Sequence, residues 1–294
     1  MNDHNATAHA ASTAPANATG TAAGSSQDTP VIAFIGGGNM ASALIGGLVK
    51  TGTPAHRIRV VEPYEAQRLA LRERFGVQAQ AAADAALRDA AVVVWAVKPQ
   101  LFAEASGPCA AHVKQALQVS VMAGIRCAAL QAATGSARIV RTMPNTPALI
   151  GQGMAGLYAQ PTVSDTEREQ VQRLFAPTGR SVWVAQEDDL DAVTALSGSG
   201  PAYAFYLIEA MVEAAQRMGL SAEQGREMAI QTVLGAAALA QQSPLAPSEL
   251  RAQVTSKGGT THAAITSLEA DGVKASVVKA LLAAQARAAE LGKG

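Results

Sequence analysis

Val31-Ile-Ala-Phe-Ile35, followed at once by Gly36-Gly-Gly-Asn-Met-Ala41, decides how the rest of the chain reads. Five consecutive apolar residues predict a strand buried on both faces. The spacing of Met40, Leu44 and Leu48 then predicts a helix that stops at Thr51-Gly52. The residues between fit G-x-G-x-x-A in the strand–turn–helix setting that this fingerprint requires. Gly36 permits the tight turn, Gly38 lets backbone approach a pyrophosphate, and Ala41 allows close helix–strand contact. With Asn39 and Met40, they place backbone N–H groups where phosphate oxygens would sit, at the positive end of a helix. The stretch predicts a dinucleotide site.

Outward from it, strand and helix patterns alternate. Residues 58–61 read as a strand, 65–75 as a helix, and 92–97 as a uniformly apolar buried strand. Further strands are expected at 119–122 and 138–141. Strands at 153–158 and 181–184 flank a helix opened by the capping box Ser164-x-x-Glu167. Strands separated by crossover helices imply an α/β fold with a doubly wound, mostly parallel sheet. After about residue 186 the strand patterns end. Helices are expected over 188–196, 202–218, 222–241, 248–254, 262–270 and 273–291, with Pro201 as a first helical residue and Ser221-x-x-Gln224 as another capping box. Their apolar stripes are narrow, which predicts packing against a second copy of the chain. The expected organisation is a tail over 1–29, a dinucleotide-binding domain over 30–186 and an all-helical substrate and dimerisation domain over 187–294.

Composition narrows the class. The chain has 294 residues, 49% hydrophobic and 16% charged, enough to bury a sizeable core. Lys+Arg and Asp+Glu are both 23, so no basic excess points to nucleic acid. No apolar run is long enough to span a bilayer. Cys109 and Cys127 lack metal or redox spacing, which fits a reducing cytoplasm, and no histidine has ligand-like spacing, so no metal site is assigned. Residues 1–29 are rich in Asn, Ala, Thr, Ser and Gly and read as a disordered extension rather than a targeting signal.

Other candidates follow from position. Glu62 ends the second strand, where an acid normally accepts from the adenosine ribose hydroxyls and disfavours a 2′-phosphate. Arg57, Arg59 and Arg68 are close enough in sequence to compensate, so the choice between NADH and NADPH stays open. Ala96-Val97-Lys98-Pro99 ends the apolar strand at the carboxyl edge, where ligands bind in open α/β sheets. Met143-Pro-Asn-Thr-Pro147 ends a later strand at the same edge, and its rigid backbone, with Asn145, suits a wall beside the nicotinamide. Gly258-Gly259-Thr260-Thr261 reads as a bare loop opening a helix and offering N–H groups to an anion.

Together these segments resemble pyrroline-5-carboxylate reductase. The resemblance is carried by Phe34-Ile-Gly-Gly-Gly-Asn-Met40, Ala96-Val-Lys-Pro-Gln100, Arg141-Thr-Met-Pro-Asn-Thr-Pro-Ala148, Leu196-Ser-Gly-Ser-Gly-Pro-Ala-Tyr203 and Val254-Thr-Ser-Lys-Gly-Gly-Thr-Thr261. It spans residue 31 to about 290 and departs at Lys257, where the family usually has proline. The resemblance implies reduction of the cyclic imine 1-pyrroline-5-carboxylate to L-proline by NADPH or NADH, and a homodimer or larger homo-oligomer. It implies a carboxylate site at Ser256, Gly259, Thr260 and Thr261, with Thr261 reaching the ring nitrogen as orienter or proton donor. Two alternatives stand beside it: a β-hydroxyacid dehydrogenase-like oxidoreductase, whose catalytic lysine has no counterpart here on a helix, and a non-catalytic NADPH-binding regulatory module.

Removing residues 1–28 is expected to leave fold and turnover unchanged, because this segment lacks the apolar content to order itself. A thermal melt lowered by several degrees, the mark of roughly 1 kcal/mol of lost packing, would show the tail to be docked.

Overall fold

The computed structural model describes residues 29–292, so the expected tail lies outside the described residues except for Thr29. The first part of the chain runs β1 (Val31–Ile35), α1 (Asn39–Lys50), β2 (Ile58–Val61), α2 (Glu65–Phe75), β3 (Ala79–Gln80), β4 (Ala90–Trp95) and α3 (Phe102–Val113). It continues as β5 (Leu117–Ser120), α4 (Cys127–Thr134), β6 (Ile139–Met143), β7 (Gly153–Ala159), α5 (Asp165–Phe175) and β8 (Gly179–Trp183). Helices follow: α6 (Asp189–Val193), α7 (Gly200–Arg217), α8 (Ala222–Gln242), α9 (Pro247–Gln253), α10 (Thr260–Ala270) and α11 (Val273–Leu291).

The strands form one sheet in the order β3-β2-β1-β4-β5-β6-β7-β8. Six are parallel from β3 to β6; β7 then runs antiparallel to β6, and β8 parallel to β7. The reversal has a simple cause. Residues 144–152 hold only a short 3-10 turn, too little chain for the helical crossover that a parallel neighbour needs. Chain order runs outward in opposite directions from the β1/β4 pair, which makes their carboxyl ends the switch point of the sheet.

Alternation sorts the core into two layers. Ile32, Phe34, Val60, Val92, Val94 and Val119 pack against Ala41, Leu44 and Ile45 of α1 and Val171, Leu174 and Phe175 of α5. The other face, with Ala33, Ile35, Val93 and Trp95, packs against Phe102, Cys109 and Val113 of α3 and Cys127 and Leu130 of α4. Being covered on both sides, β1 and β4 read as continuous apolar runs in the sequence.

The helical part is built otherwise. Helix α7 packs along α8 where Gly225 meets Ala215: a Cβ on Gly225 would stand 2.8 Å from that of Ala215. Elsewhere large apolar side chains stay open, including Phe205, Tyr206, Leu207, Leu234, Val277, Val278 and Leu282. Tyr203, Tyr206, Leu207, Val273, Val277 and Leu281 line an apolar groove of about 720 Å³ between α7 and α11. No helix among the described residues is long and apolar enough to cross a membrane.

Charge joins the two parts. The Arg141 guanidinium of β6 donates to Glu187 Oε1 at 2.6 Å, and the same oxygen accepts the Cys127 N–H at 2.8 Å. Beside it Arg126 pairs with Asp191 at 3.0 Å and with Asp188. Arg141 is 6% exposed and Glu187 23%. Glu187→Ala is expected to cost roughly 3 kcal/mol in chemical denaturation, the lower end for stranding a buried charge because Glu187 keeps some water. Wild-type stability would show that water already screens the pair.

Candidate functional site

The nucleotide edge is assembled where β1 and β4 end. Gly36 N donates to Val61 O at 2.8 Å and Ala96 N to Ile35 O at 2.8 Å, so the chain leaves β1 while still tied to both neighbours. Gly36 has φ +96°, and a Cβ there would stand 2.7 Å from the Ala96 carbonyl oxygen. Glycine is required twice over, by backbone conformation and by space. Gly38 is the N-cap of α1, with no capping side chain and nothing within 4 Å of where its Cβ would be. The first-turn amides of Asn39 and Met40 therefore open onto free space. That is the cradle a pyrophosphate fits, and the dinucleotide expected from the sequence suits it.

Glu62 serves this loop directly. It is 5% exposed; its Oε2 accepts the Gly37 N–H at 2.8 Å and its Oε1 the Tyr64 N–H at 2.9 Å. Both oxygens keep a further lone pair for a ribose hydroxyl, but the first work of the carboxylate is to hold the glycine loop. Arg68 is engaged as well, donating to the carbonyls of Glu62 and Pro63 at 3.0 and 2.6 Å. The sequence reading missed two further supports of the loop. Ser42 Oγ donates to Gly37 O at 3.2 Å, and Gln67 Nε2 donates to the same oxygen. Neither residue belongs to the fingerprint, so spacing alone had no signal for them.

An apolar slot of about 290 Å³ lies alongside, lined by Ile35, Gly36, Val61, Tyr64, Val97 and Leu101, with Glu104 at its wall. Its shape and lining suit an adenine ring. Strand β4 stops at Trp95, two residues before the expected end, so Ala96 and Val97 are already in the connection rather than in the strand. Lys98 and Pro99 are exposed, Lys98 capping the short 3-10 turn Pro99–Leu101.

Asn145 follows β6 at the same edge. Its Oδ1 accepts the Met154 N–H at 2.9 Å; its Nδ2 donates to both the carbonyl oxygen and the Oγ of Ser197 at 3.2 Å. Ser197 lies in a widened turn, Thr194–Gly198, between α6 and α7, in which Ser199 N donates five residues back to Thr194 O at 2.8 Å. The cause of its free carbonyl is in the sequence. In a regular helix Ser197 O would accept from residue 201, and Pro201 has no N–H.

The second candidate cluster lies apart from the glycine loop in sequence and in its contacts. Gly258 has φ +78°, Gly259 caps α10 without a side-chain bond, and Thr260 and Thr261 form the first turn of that helix. They begin the helix two residues earlier than the expected start at 262. Gly259 N donates to Ser256 O at 3.0 Å, and a Cβ on Gly259 would stand 2.7 Å from Ser256 Oγ, so glycine lets the serine hydroxyl lie against the helix start. Ser256, Thr260 and Thr261 are exposed.

The thiols are poor acids. Burial pushes Cys109 up to about 11; burial, then the Glu187 charge, pushes Cys127 up to about 12. Neither supplies a proton near neutral pH. No group of three or more His, Cys, Asp or Glu able to hold a metal ion occurs among the described residues.

Comparison with known proteins divides along the same lines as the fold. Residues 31–124 match the family model described as "NADP oxidoreductase coenzyme F420-dependent", and residues 187–291 match "Pyrroline-5-carboxylate reductase dimerisation". The chain is 48% identical over 265 residues to pyrroline-5-carboxylate reductase of Pseudomonas aeruginosa, covering 90% of this chain and 97% of that one. Among solved structures, a pyrroline-5-carboxylate reductase from Coxiella burnetii superposes with TM-score 0.86 at 37% identity, covering 91% of this chain and all of that one. The Plasmodium falciparum pyrroline carboxylate reductase with NADP bound superposes with TM-score 0.79 at 27% identity, covering 90% and 98%. A relationship this close, sustained from the glycine loop to the last helix, means that the chain belongs to the pyrroline-5-carboxylate reductase family.

Proposed function

We propose that this chain reduces 1-pyrroline-5-carboxylate to L-proline, the last step of proline biosynthesis, in the cytoplasm. The single observation that carries the reading is 48% identity along 90% of the chain to a reductase of that name. When bound, NAD(P)H supplies the hydride that adds to the carbon of the C=N bond. Gly36, Gly38, Asn39 and Met40 hold the pyrophosphate, Val97 borders the adenine slot, and Ala96, Lys98, Pro99 and Asn145 form the edge beyond it. The ring nitrogen ends with one more proton, already present when the substrate arrives as an iminium.

The carboxylate of the substrate meets the first-turn amides of α10 at Thr260 and Thr261, against the bare backbone of Gly259 and with the Ser256 hydroxyl beside them. Thr261 reaches the ring nitrogen. No strong acid is needed, because holding hydride donor and imine in contact supplies most of the acceleration. Residues 30–186 act as the nucleotide domain and 187–294 as the substrate and dimerisation domain. The open apolar faces of α7 and α11 are then the seat of a second copy. A simple assay separates this from a dehydrogenase or a non-catalytic nucleotide binder: loss of reduced-nicotinamide absorbance on adding pyrroline-5-carboxylate.

Glu62 and Glu104 place acid at the adenosine end, and the slot is lined by no Lys or Arg. Both features favour NADH. Glu62→Ser is expected to weaken both nucleotides, because Gly37 N loses its acceptor, but to lower kcat/KM for NADH more than for NADPH. An unchanged ratio of the two would place the carboxylate outside the ribose pocket.

Thr261→Val keeps the shape and the N–H while deleting the hydroxyl. Turnover is expected to fall roughly ten- to several-hundredfold, as for one hydrogen bond of about 1.5–3 kcal/mol to a charged partner, with nucleotide affinity unchanged. Thr260→Val should cost less. Wild-type turnover in the Thr261 variant would remove the hydroxyl from the mechanism.

A further inference from the structure

Asn145 makes three hydrogen bonds, and their polarity is fixed. The Met154 N–H can only donate, so the atom it meets is Oδ1 and the atom facing Ser197 is the donating Nδ2. Ser197 Oγ therefore accepts, and its own proton is left over. That proton has no acceptor among the described residues. A half-buried hydroxyl held as an acceptor, with a free proton, is a donor waiting for a ligand.

The place of the pair matters. Asn145 stands just past the carboxyl end of β6, and β6 lies three strand spacings from β1, about 14 Å along the edge on which a dinucleotide stretches. The pyrophosphate cradle sits over β1, and its adenosine side faces β2 and the slot by Val61 and Tyr64. The opposite arm, carrying the nicotinamide, therefore runs over β4 and β5 toward β6. The widened turn also lies against the end of β6: the open side of Gly198 faces Met143, whose Cε would stand 2.5 Å from a Cβ there.

We infer that Asn145 and Ser197 form a positioning pair for hydride transfer, Asn145 holding the Ser197 hydroxyl so that its proton is donated to an acceptor of the reacting pair. The acceptor is either the nicotinamide carboxamide oxygen or the imine nitrogen of an unprotonated substrate. The inference rests on the reductase reading above. Asn145 thus acts through Ser197 and through the turn that Pro201 leaves open, in place of touching the nucleotide itself.

Asn145→Asp is the informative variant. It keeps Oδ1 for Met154 N–H but replaces the donating amide by a second acceptor, so that the Ser197 proton turns inward to the carboxylate. Ser197→Ala removes the proton while keeping the Asn145 bond to the Ser197 carbonyl, and so tests the idea where the first variant fails to fold. In the full-length enzyme each single change is expected to weaken catalysis roughly tenfold, and the double variant to be no worse than either. A raised Kd for NADH or NADPH with kcat retained assigns the contact to the carboxamide. A lowered kcat with a shifted pH profile and unchanged Kd assigns it to the imine nitrogen. Wild-type Kd, kcat and pH profile in Ser197→Ala would overturn the inference, as would full additivity of the two changes. An inert wild-type enzyme would refute the reductase reading instead, with the nucleotide Kd still reporting on the pair.

Discussion

The contact between Gly36 and the carbonyl of Ala96 is the constraint on which the arrangement depends. Two parallel strands end side by side, and the first must turn sharply within hydrogen-bonding distance of the second. Only a residue without Cβ passes there, with the backbone in the left-handed region. Once it does, α1 begins close above the strand ends with its first amides uncovered. The buried Glu62 carboxylate then fixes the next amide, so the loop is held open before any ligand arrives.

Much of this was legible from residues alone. The β1–Gly36–α1 unit is encoded locally, by an apolar run, a glycine spacing and a helical period, and α2 and α11 fall on their expected residues. Helices α3 and α4 were not anticipated. Pro108 lies inside α3, and α4 is only two turns long, so neither carries a clear 3.6-residue stripe; their apolar residues are chosen by the sheet they cover. The reversal at β7 was hidden as well, because direction depends on the length of a connection and not on the strand's own pattern. The roles of Glu62 and Asn145 were half legible. Position put both at the carboxyl edge of the sheet, but partners distant in sequence, Gly37 for one and Ser197 for the other, decide what each side chain bonds there.

The helical half obeys different rules. Its narrow apolar stripes are apparent in the sequence, and in the fold they remain open to solvent over α7, α8 and α11. Besides the apolar seat of Val193 against Gly156, polar groups tie it to the sheet: Glu187 and Asp191 meeting Arg141 and Arg126, and Asn145 meeting a carbonyl that a proline has released. Directional bonds fix orientation more tightly than apolar contact, which has no preferred angle. That suits the proposed division of nucleotide and substrate groups between different parts of the fold.

The two tryptophans have a practical consequence. Trp95 is fully buried against Phe102, its Nε1 donating to Gln118, while Trp183 lies under the Arg168 guanidinium on the last strand. Both belong to the sheet, and α6 to α11 contain none. Intrinsic tryptophan emission therefore reports on the sheet alone, whereas far-ultraviolet circular dichroism is weighted toward the helices. A mismatch between the two denaturation curves would resolve the halves as separate cooperative units without any introduced label.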